Sequence, residues 1–189
     1  QYTKAIEDSK KCFDIAKKFD MNFSILDIGG GFENETFEEC VRVIRVALEK
    51  NFDLSSVRVI AEPGRFFVSS SHTLVVNVIG KKDTVDENGE KTFVYYLNDG
   101  MYGSFNCVHF DHQKPLICPF NERDGKRYTS RIFGPTCDSM DKIADAVLLP
   151  ELAIGEWCYI ENFGAYTCAA ASTFNGFTQI NTINIMTPQ

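Results

Sequence analysis

The run Ser24-Ile25-Leu26-Asp27-Ile28 passes directly into three glycines, and this join constrains the fold more than any other feature of the chain. A short apolar run ending in Gly29-Gly30-Gly31 reads as a buried strand feeding a tight turn. Helical periodicity flanks it. From Thr3 to Phe19 the apolar positions Ile6, Cys12, Phe13, Ile15, Ala16 and Phe19 recur at near-helical spacing, and from Thr36 to Asn51 Phe37, Cys40, Val41, Ile44, Val46 and Leu48 form an inward face. A second buried strand, Val57–Ala61, is closed by Pro63-Gly64. Helix, strand, helix, strand with apolar strands argues for parallel β/α units. Two such units cannot close a barrel, which takes about eight strands.

The pattern changes after about Ser70. Thr73–Lys82, Thr92–Asn98, Ser104–Val108, Thr129–Phe133, Glu156–Glu161 and Thr182–Met186 read as strands separated by turn-rich segments. Asn88-Gly89 supplies the positive φ angles of a hairpin tip, and Asp138–Ala146 reads as one short helix. The chain therefore carries two architectures, residues 1–70 and 71–189, joined near residues 66–72.

The net charge of −7 and pI near 5.0 leave no basic stripe that could release counterions from a nucleic acid. No apolar run approaches the ~20 residues a membrane span needs. Gln1 opens into polar, helix-like sequence, so no secretory signal is expected. Seven scattered cysteines, with no Cys-x-x-Cys pair, fit neither a disulfide framework nor a zinc site. Reduced, mostly buried cysteines in a cytoplasmic setting are the expectation. His72, His109 and His112 show no metal-ligand spacing.

Read from position alone, the glycine run is either a plain turn or a backbone cradle for an anion. Glu62, at the end of the second strand, is either a solvent-facing strand end or a paired functional carboxylate. Cys137 differs from the other cysteines because Gly134-Pro135 places it in a loop and Asp138 gives it polar company.

Five blocks stand in order along the chain: Leu26-Asp27-Ile28-Gly29-Gly30-Gly31-Phe32, Ala61-Glu62-Pro63-Gly64-Arg65, Asn98-Asp99-Gly100-Met101-Tyr102-Gly103-Ser104-Phe105-Asn106, Gly134-Pro135-Thr136-Cys137-Asp138, and Gly164-Ala165-Tyr166-Thr167. A last block, Ala169-Ala170-Ala171-Ser172-Thr173-Phe174-Asn175-Gly176-Phe177, completes them. Together they resemble the C-terminal half of the eukaryotic ornithine decarboxylases, which depend on pyridoxal phosphate. The resemblance implies an α/β segment, the last two β/α units of a (β/α)8 TIM barrel, followed by an all-β C-terminal β-sandwich or barrel-like domain. The remaining barrel strands and the Schiff-base lysine would precede Gln1.

The resemblance also implies roles. Gly29, Gly30 and Gly31 would cradle the cofactor phosphate, with Arg65 and Tyr166 adding contacts from their own blocks. Glu62, in the Glu62-Pro63-Gly64-Arg65 turn, would face the pyridine nitrogen. Cys137 would return a proton to the α-carbon after carbon dioxide departs, in the site of a partner subunit. Thiols are largely protonated at neutral pH, as this role requires. Asp111 and Asp138, from different subunits, would hold the distal ammonium of L-ornithine, with Phe110 and Phe174 lining the pocket. Phe110-Asp111-His112 departs from the family's Tyr-Asp-His, keeping the aspartate but removing a hydroxyl. Tyr102 would pack across the same homodimer interface. The implied activity is conversion of ornithine to putrescine, the entry to polyamine biosynthesis, under possible control by an antizyme-like regulator. Relatives acting on lysine, arginine or diaminopimelate are the alternative, although the last usually carry Cys-Glu-Ser where this chain has Cys137-Asp138-Ser139. The non-enzyme alternative is an antizyme-inhibitor-like protein. Such relatives typically lose the Gly-Ala-Tyr-Thr site and the alanine-rich block, both kept here.

Overall fold

The computed structural model describes residues 1–121, 123–178 and 181–185. The chain divides into two units, Gln1–Ser69 and Ser70–Gln189.

In the first unit, helix α1 (Tyr2–Lys17) and helix α2 (Phe37–Asn51) accompany two short strands, β1 (Ile25–Asp27) and β2 (Arg58–Ile60). The strands pair in parallel, with Ile25 opposite Arg58 and Asp27 opposite Ile60. A five-residue helix, α3 (Gly64–Val68), follows β2. Ile6, Leu26, Phe32, Ile44, Leu48 and Phe52 form the core. Phe13 meets the Phe52 ring edge-on at 5.1 Å, and Phe37 stacks on Phe66 at 4.1 Å. The inward face of α2 is centred on Ile44, Ala47 and Leu48, and Val46, expected inward, is 63% exposed. Its position lies about 100° from that of Ala47, which already fills the stripe.

The second unit is a six-stranded mixed sheet in the order β5-β8-β3-β4-β6-β7. Its strands are β3 (Leu74–Val85), β4 (Lys91–Leu97), β5 (Cys118–Pro119), β6 (Arg127–Phe133), β7 (Lys142–Pro150) and β8 (Trp157–Ile160). Strand β3 changes partner along its length. Leu74–Asn77 pairs antiparallel with β8, and from Val78 onward the strand pairs with β4, with an irregularity between Val78 and Gly80. β4 and β6 run parallel, β6 and β7 antiparallel. This is a single hydrogen-bonded sheet among the described residues, not the two facing sheets that a sandwich requires. Val76, Val78, Phe93, Tyr95, Leu97, Ile132 and Cys158 are among its most deeply buried residues.

Three expected elements differ. Ser104–Val108 is no strand; residues 106–110 form helix α4 (Asn106–Phe110). Phe105 and Cys107 are both buried, which mimics strand alternation over too few residues to discriminate. Asp138–Ala146 is no helix, because Lys142–Pro150 is β7, whose backbone pairs with β6 and whose Ile143 points to the core. Residues 182–185 form no strand, and Met186 of that expected element lies outside the described residues.

A buried hydroxyl gives one stability prediction. The Leu152 amide donates to Tyr95 Oη at 2.9 Å, both residues being almost inaccessible. Burial pushes the Tyr95 phenol up to about 12 from 10.0. A raised folded-state value means the contribution is complete below pH 10.0 and is lost as pH rises toward about 12. Tyr95→Phe leaves the Leu152 N–H unpaired and is expected to cost about 1–3 kcal/mol in urea denaturation at neutral pH. The variant is also expected to lack the alkaline loss attributable to this phenol.

Candidate active site

In the first unit, the C-terminal ends of β1 and β2 place two sequence blocks side by side. The parallel ladder continues past the strands: Ile28 N donates to Ile60 O at 3.0 Å and Glu62 N to Gly29 O at 2.8 Å. Gly29 and Gly31 have φ of +72° and +82°, conformations that L side chains rarely adopt. A Cβ on Gly30 would stand 2.7 Å from the Glu62 carbonyl oxygen, a backbone atom fixed by the β1–β2 pairing. The glycine turn is oriented by Asp27 Oδ1, which accepts from Gly29 N at 2.8 Å, and by Tyr2, whose hydroxyl donates to Gly30 O at 2.7 Å. Among the described residues, the Gly30 and Gly31 amides donate to no protein acceptor.

Beyond the second strand, Gly64 N donates to Glu62 O at 2.8 Å and turns the chain into α3 through Pro63. This leaves the Glu62 side chain exposed. Arg65 is partly buried, with Nε 3.9 Å from Glu33 Oε1. Two backbone amides, a guanidinium on the following helix and an exposed carboxylate at the adjoining strand end suit a phosphorylated, nitrogen-containing ring. The residues present thus fit pyridoxal phosphate.

The second unit assembles two groups. In one, Tyr102 donates its hydroxyl to Asp138 Oδ2 and stacks on Phe174 with ring centroids 4.1 Å apart. Asn175, in the left-handed region with φ of +58°, directs its amide at Cys137 Sγ at 3.8 Å. Cys137 itself is exposed. The Tyr102 hydroxyl and then the Met140 amide hold the Asp138 carboxyl below its ordinary range, and the same bond raises the Tyr102 phenol. Asp138 is therefore a fixed anion beside a thiol.

In the other group, the end of α4 presents Asp111. Both Asp111 N and Gln113 N donate to Cys107 O, at 3.0 and 3.1 Å. The Gln113 side chain bridges Asp111 Oδ2 at 2.9 Å and Ala165 O at 3.5 Å. This ties Asp111 to the residue preceding Tyr166, which is half-exposed at φ +57°. Asn106 binds the Gly103 carbonyl at 2.6 Å and the Thr167 carbonyl, so both sequence blocks share one buried amide. Phe110 is 71% exposed and meets the edge of His109 at 5.4 Å.

The structure thus brings Cys137, Asp138, Phe174 and Tyr102 into one group, and Asp111 and Tyr166 into a second. Among the described residues, Asp138 is bonded by Tyr102 and Asp111 by Gln113. Sequence reasoning missed Gln113, Asn106, Asn175 and Asp141. The last was read as part of a helix, although the paired glycines Gly100 and Gly134 signal a close approach that it fills. It also expected most cysteines to be buried. Only Cys107 and Cys158 are, while Cys12, Cys137 and Cys168 are exposed; all seven are free.

Residues 18–164 match the profile of the pyridoxal-dependent decarboxylases, C-terminal sheet domain. The chain belongs to that family. Among its relatives, ornithine decarboxylase of Cricetulus griseus is 47% identical over 199 residues, covering 98% of this chain and 44% of that protein. Antizyme inhibitor 2 of Xenopus laevis is 49% identical over 193 residues, covering 94% of this chain and 42% of its own length. The crystal structure of the Paramecium bursaria Chlorella virus arginine decarboxylase superposes with a TM-score of 0.84 at 35% identity, covering 94% of this chain and 48% of that one. The chain spans less than half of each of these three proteins.

Proposed function

We propose that this chain is the C-terminal part of an ornithine decarboxylase that forms putrescine and carbon dioxide from L-ornithine. The observation that carries the reading is the grouping of a thiol, an ionised carboxylate and a stacked aromatic pair around Cys137 and Asp138. The first unit supplies the last two β/α elements of a (β/α)8 barrel. Gly30 and Gly31 would hold the phosphate through their amides, with Gly29 shaping the turn, Arg65 adding charge and Tyr166 a hydroxyl. Glu62 would face the ring nitrogen, and Pro63-Gly64 set the turn by which the chain leaves the strand. Pyridoxal phosphate bound there supplies the electron sink that lets the α-carboxyl group leave.

This chain's residues then handle one charge and one proton. Asp111 and Asp138 accept hydrogen bonds from the substrate's distal ammonium, a cation that needs counter-charge when it leaves water. Cys137 Sγ–H gives its proton to the α-carbon, and the thiolate regains one from solvent. Phe174 and Phe110 exclude water from the aliphatic stem. As the family resemblance implies, the reading includes a homodimer in which each site takes Cys137 and Asp138 from one subunit and Asp111 from the other. Seven free cysteines suit a reducing cytoplasm. Among the described residues no helix is long and apolar enough to cross a membrane.

The relative named antizyme inhibitor 2 gives a second reading, a binding protein without turnover. Retention of Cys137, Asp138 and Tyr166 in ordered groups favours the enzyme. The test is release of carbon dioxide and putrescine by the full-length, cofactor-loaded protein given ornithine. Turnover of ornithine above lysine and arginine is expected; cofactor binding without turnover would favour another substrate, and neither would favour the binding protein.

A further inference from the structure

We infer that Asp141 is a positioning residue that registers the Cys137–Asp138 loop against the Tyr102 segment. The inference rests on the reading above and extends it to the fidelity of proton delivery. Asp141 is completely buried. Its Oδ1 accepts from Met101 N at 2.7 Å, and its Oδ2 accepts from Thr136 N at 2.9 Å and Thr136 Oγ1 at 2.7 Å. Among the described residues no cation pairs with it. A buried carboxylate held only by neutral donors is costly to keep, so its geometry must be well satisfied.

The donors come from two segments far apart in sequence, and both are shaped around this carboxylate. A Cβ on Gly100 would stand 2.8 Å from Gly134 Cα and nearer still to Asp141 Oδ1. A Cβ on Gly134 would meet Asp141 Oδ2 at 2.5 Å. Backbone bonds complete the clamp, Gly134 N to Asp141 O at 2.8 Å and Asp141 N to Asp138 O at 3.0 Å. Thr136 Oγ1 also accepts from Asp138 N at 3.4 Å, so a short chain of hydrogen bonds runs from the buried carboxylate to the Asp138 backbone. Tyr102, directly after Met101, then reaches Asp138 with its hydroxyl. Displacing this clamp moves Cys137 and Asp138 together, while among the described residues Asp141 and Thr136 themselves touch no residue assigned to the cofactor.

Asp141→Asn keeps the shape but turns one acceptor oxygen into an NH2 group facing an N–H or O–H donor. Thr136→Val is milder, because it removes only the hydroxyl. Both are made in the full-length protein and compared with wild type in two ways. One is the ratio of putrescine to aldehyde by-product from ornithine, with kcat and KM measured separately. The other is the iodoacetamide alkylation rate of Cys137, resolved by peptide and referred to Cys12 in the same molecule. A fall of about tenfold in the product ratio for Asp141→Asn is expected, given that a misplacement of about 1 Å can cost ~100-fold in rate. KM is expected to change less than kcat, and the relative alkylation rate of Cys137 is expected to change in both variants.

Loss of folded protein and activity in proportion, with ratio and relative alkylation unchanged, would make Asp141 merely structural and overturn the inference. If Asp141→Asn does not fold, Thr136→Val decides on the same two readouts. If wild type makes no putrescine, the functional reading fails and the alkylation comparison alone decides whether Asp141 registers the loop.

Discussion

Replacing Asp111 with alanine is expected to lower kcat/KM for ornithine by about 30- to several-thousand-fold. The estimate follows from leaving a desolvated ammonium with one of its two carboxylates removed, which costs about 2–5 kcal/mol of transition-state binding. Asp111 is not an isolated surface acid. Gln113 pins its carboxylate and the α4 end pins its backbone, so little of the loss can be recovered by a neighbour moving in. Affinity for the cofactor is expected to stay nearly unchanged, because no phosphate or ring contact is assigned to this residue. Kinetics with ornithine, lysine and arginine, together with a cofactor titration, check both halves. A variant that loses cofactor more than substrate would move Asp111 out of the substrate pocket.

The second large effect concerns Cys137. Cys137→Ala is expected to bind cofactor and ornithine and to form putrescine about 100-fold more slowly or worse, the usual worth of a positioned general acid. Its products are expected to shift toward the aldehyde and the aminated cofactor, because a proton not delivered to the α-carbon can be taken up at the cofactor carbon instead. The measurement is putrescine against aldehyde after a fixed release of carbon dioxide. The exposure of Cys137 and its contact with Asn175 agree with a thiol kept at a surface where a ligand can reach it. An unchanged product ratio at an unchanged rate would remove it from the chemistry.

The glycine turn and the strand end beside it are legible in the sequence because these pieces are short and locally determined. Gly29-Gly30-Gly31 after an apolar run requires positive φ and close backbone approach, and the fold uses it so. Glu62 at the end of β2 follows from counting an apolar strand to its stop. The less legible parts depend on tertiary context. Asp141 is charged and sits among Asp138, Lys142 and Asp145, a spacing that favours a helical reading. Only its complete burial and the bonds it accepts from Met101 and Thr136 show that it points inward. Ser104–Val108 fails for the converse reason, since burial of Phe105 and Cys107 is compatible with strand and helix over five residues. Gln113 and Asn106 have no local signal at all. Their amides matter because they join carbonyls 52 and 61 residues further along the chain.

The central claim, that Cys137 and Glu62 serve one reaction from different subunits, is tested most directly by mixing full-length Cys137→Ala and Glu62→Ala proteins. Each parent dimer carries a lesion in both sites. A mixed dimer carries both lesions in one site and none in the other, so complete random exchange is expected to restore putrescine formation to about a quarter of wild type. Mixed dimers that form and give no putrescine above either parent would contradict the shared site.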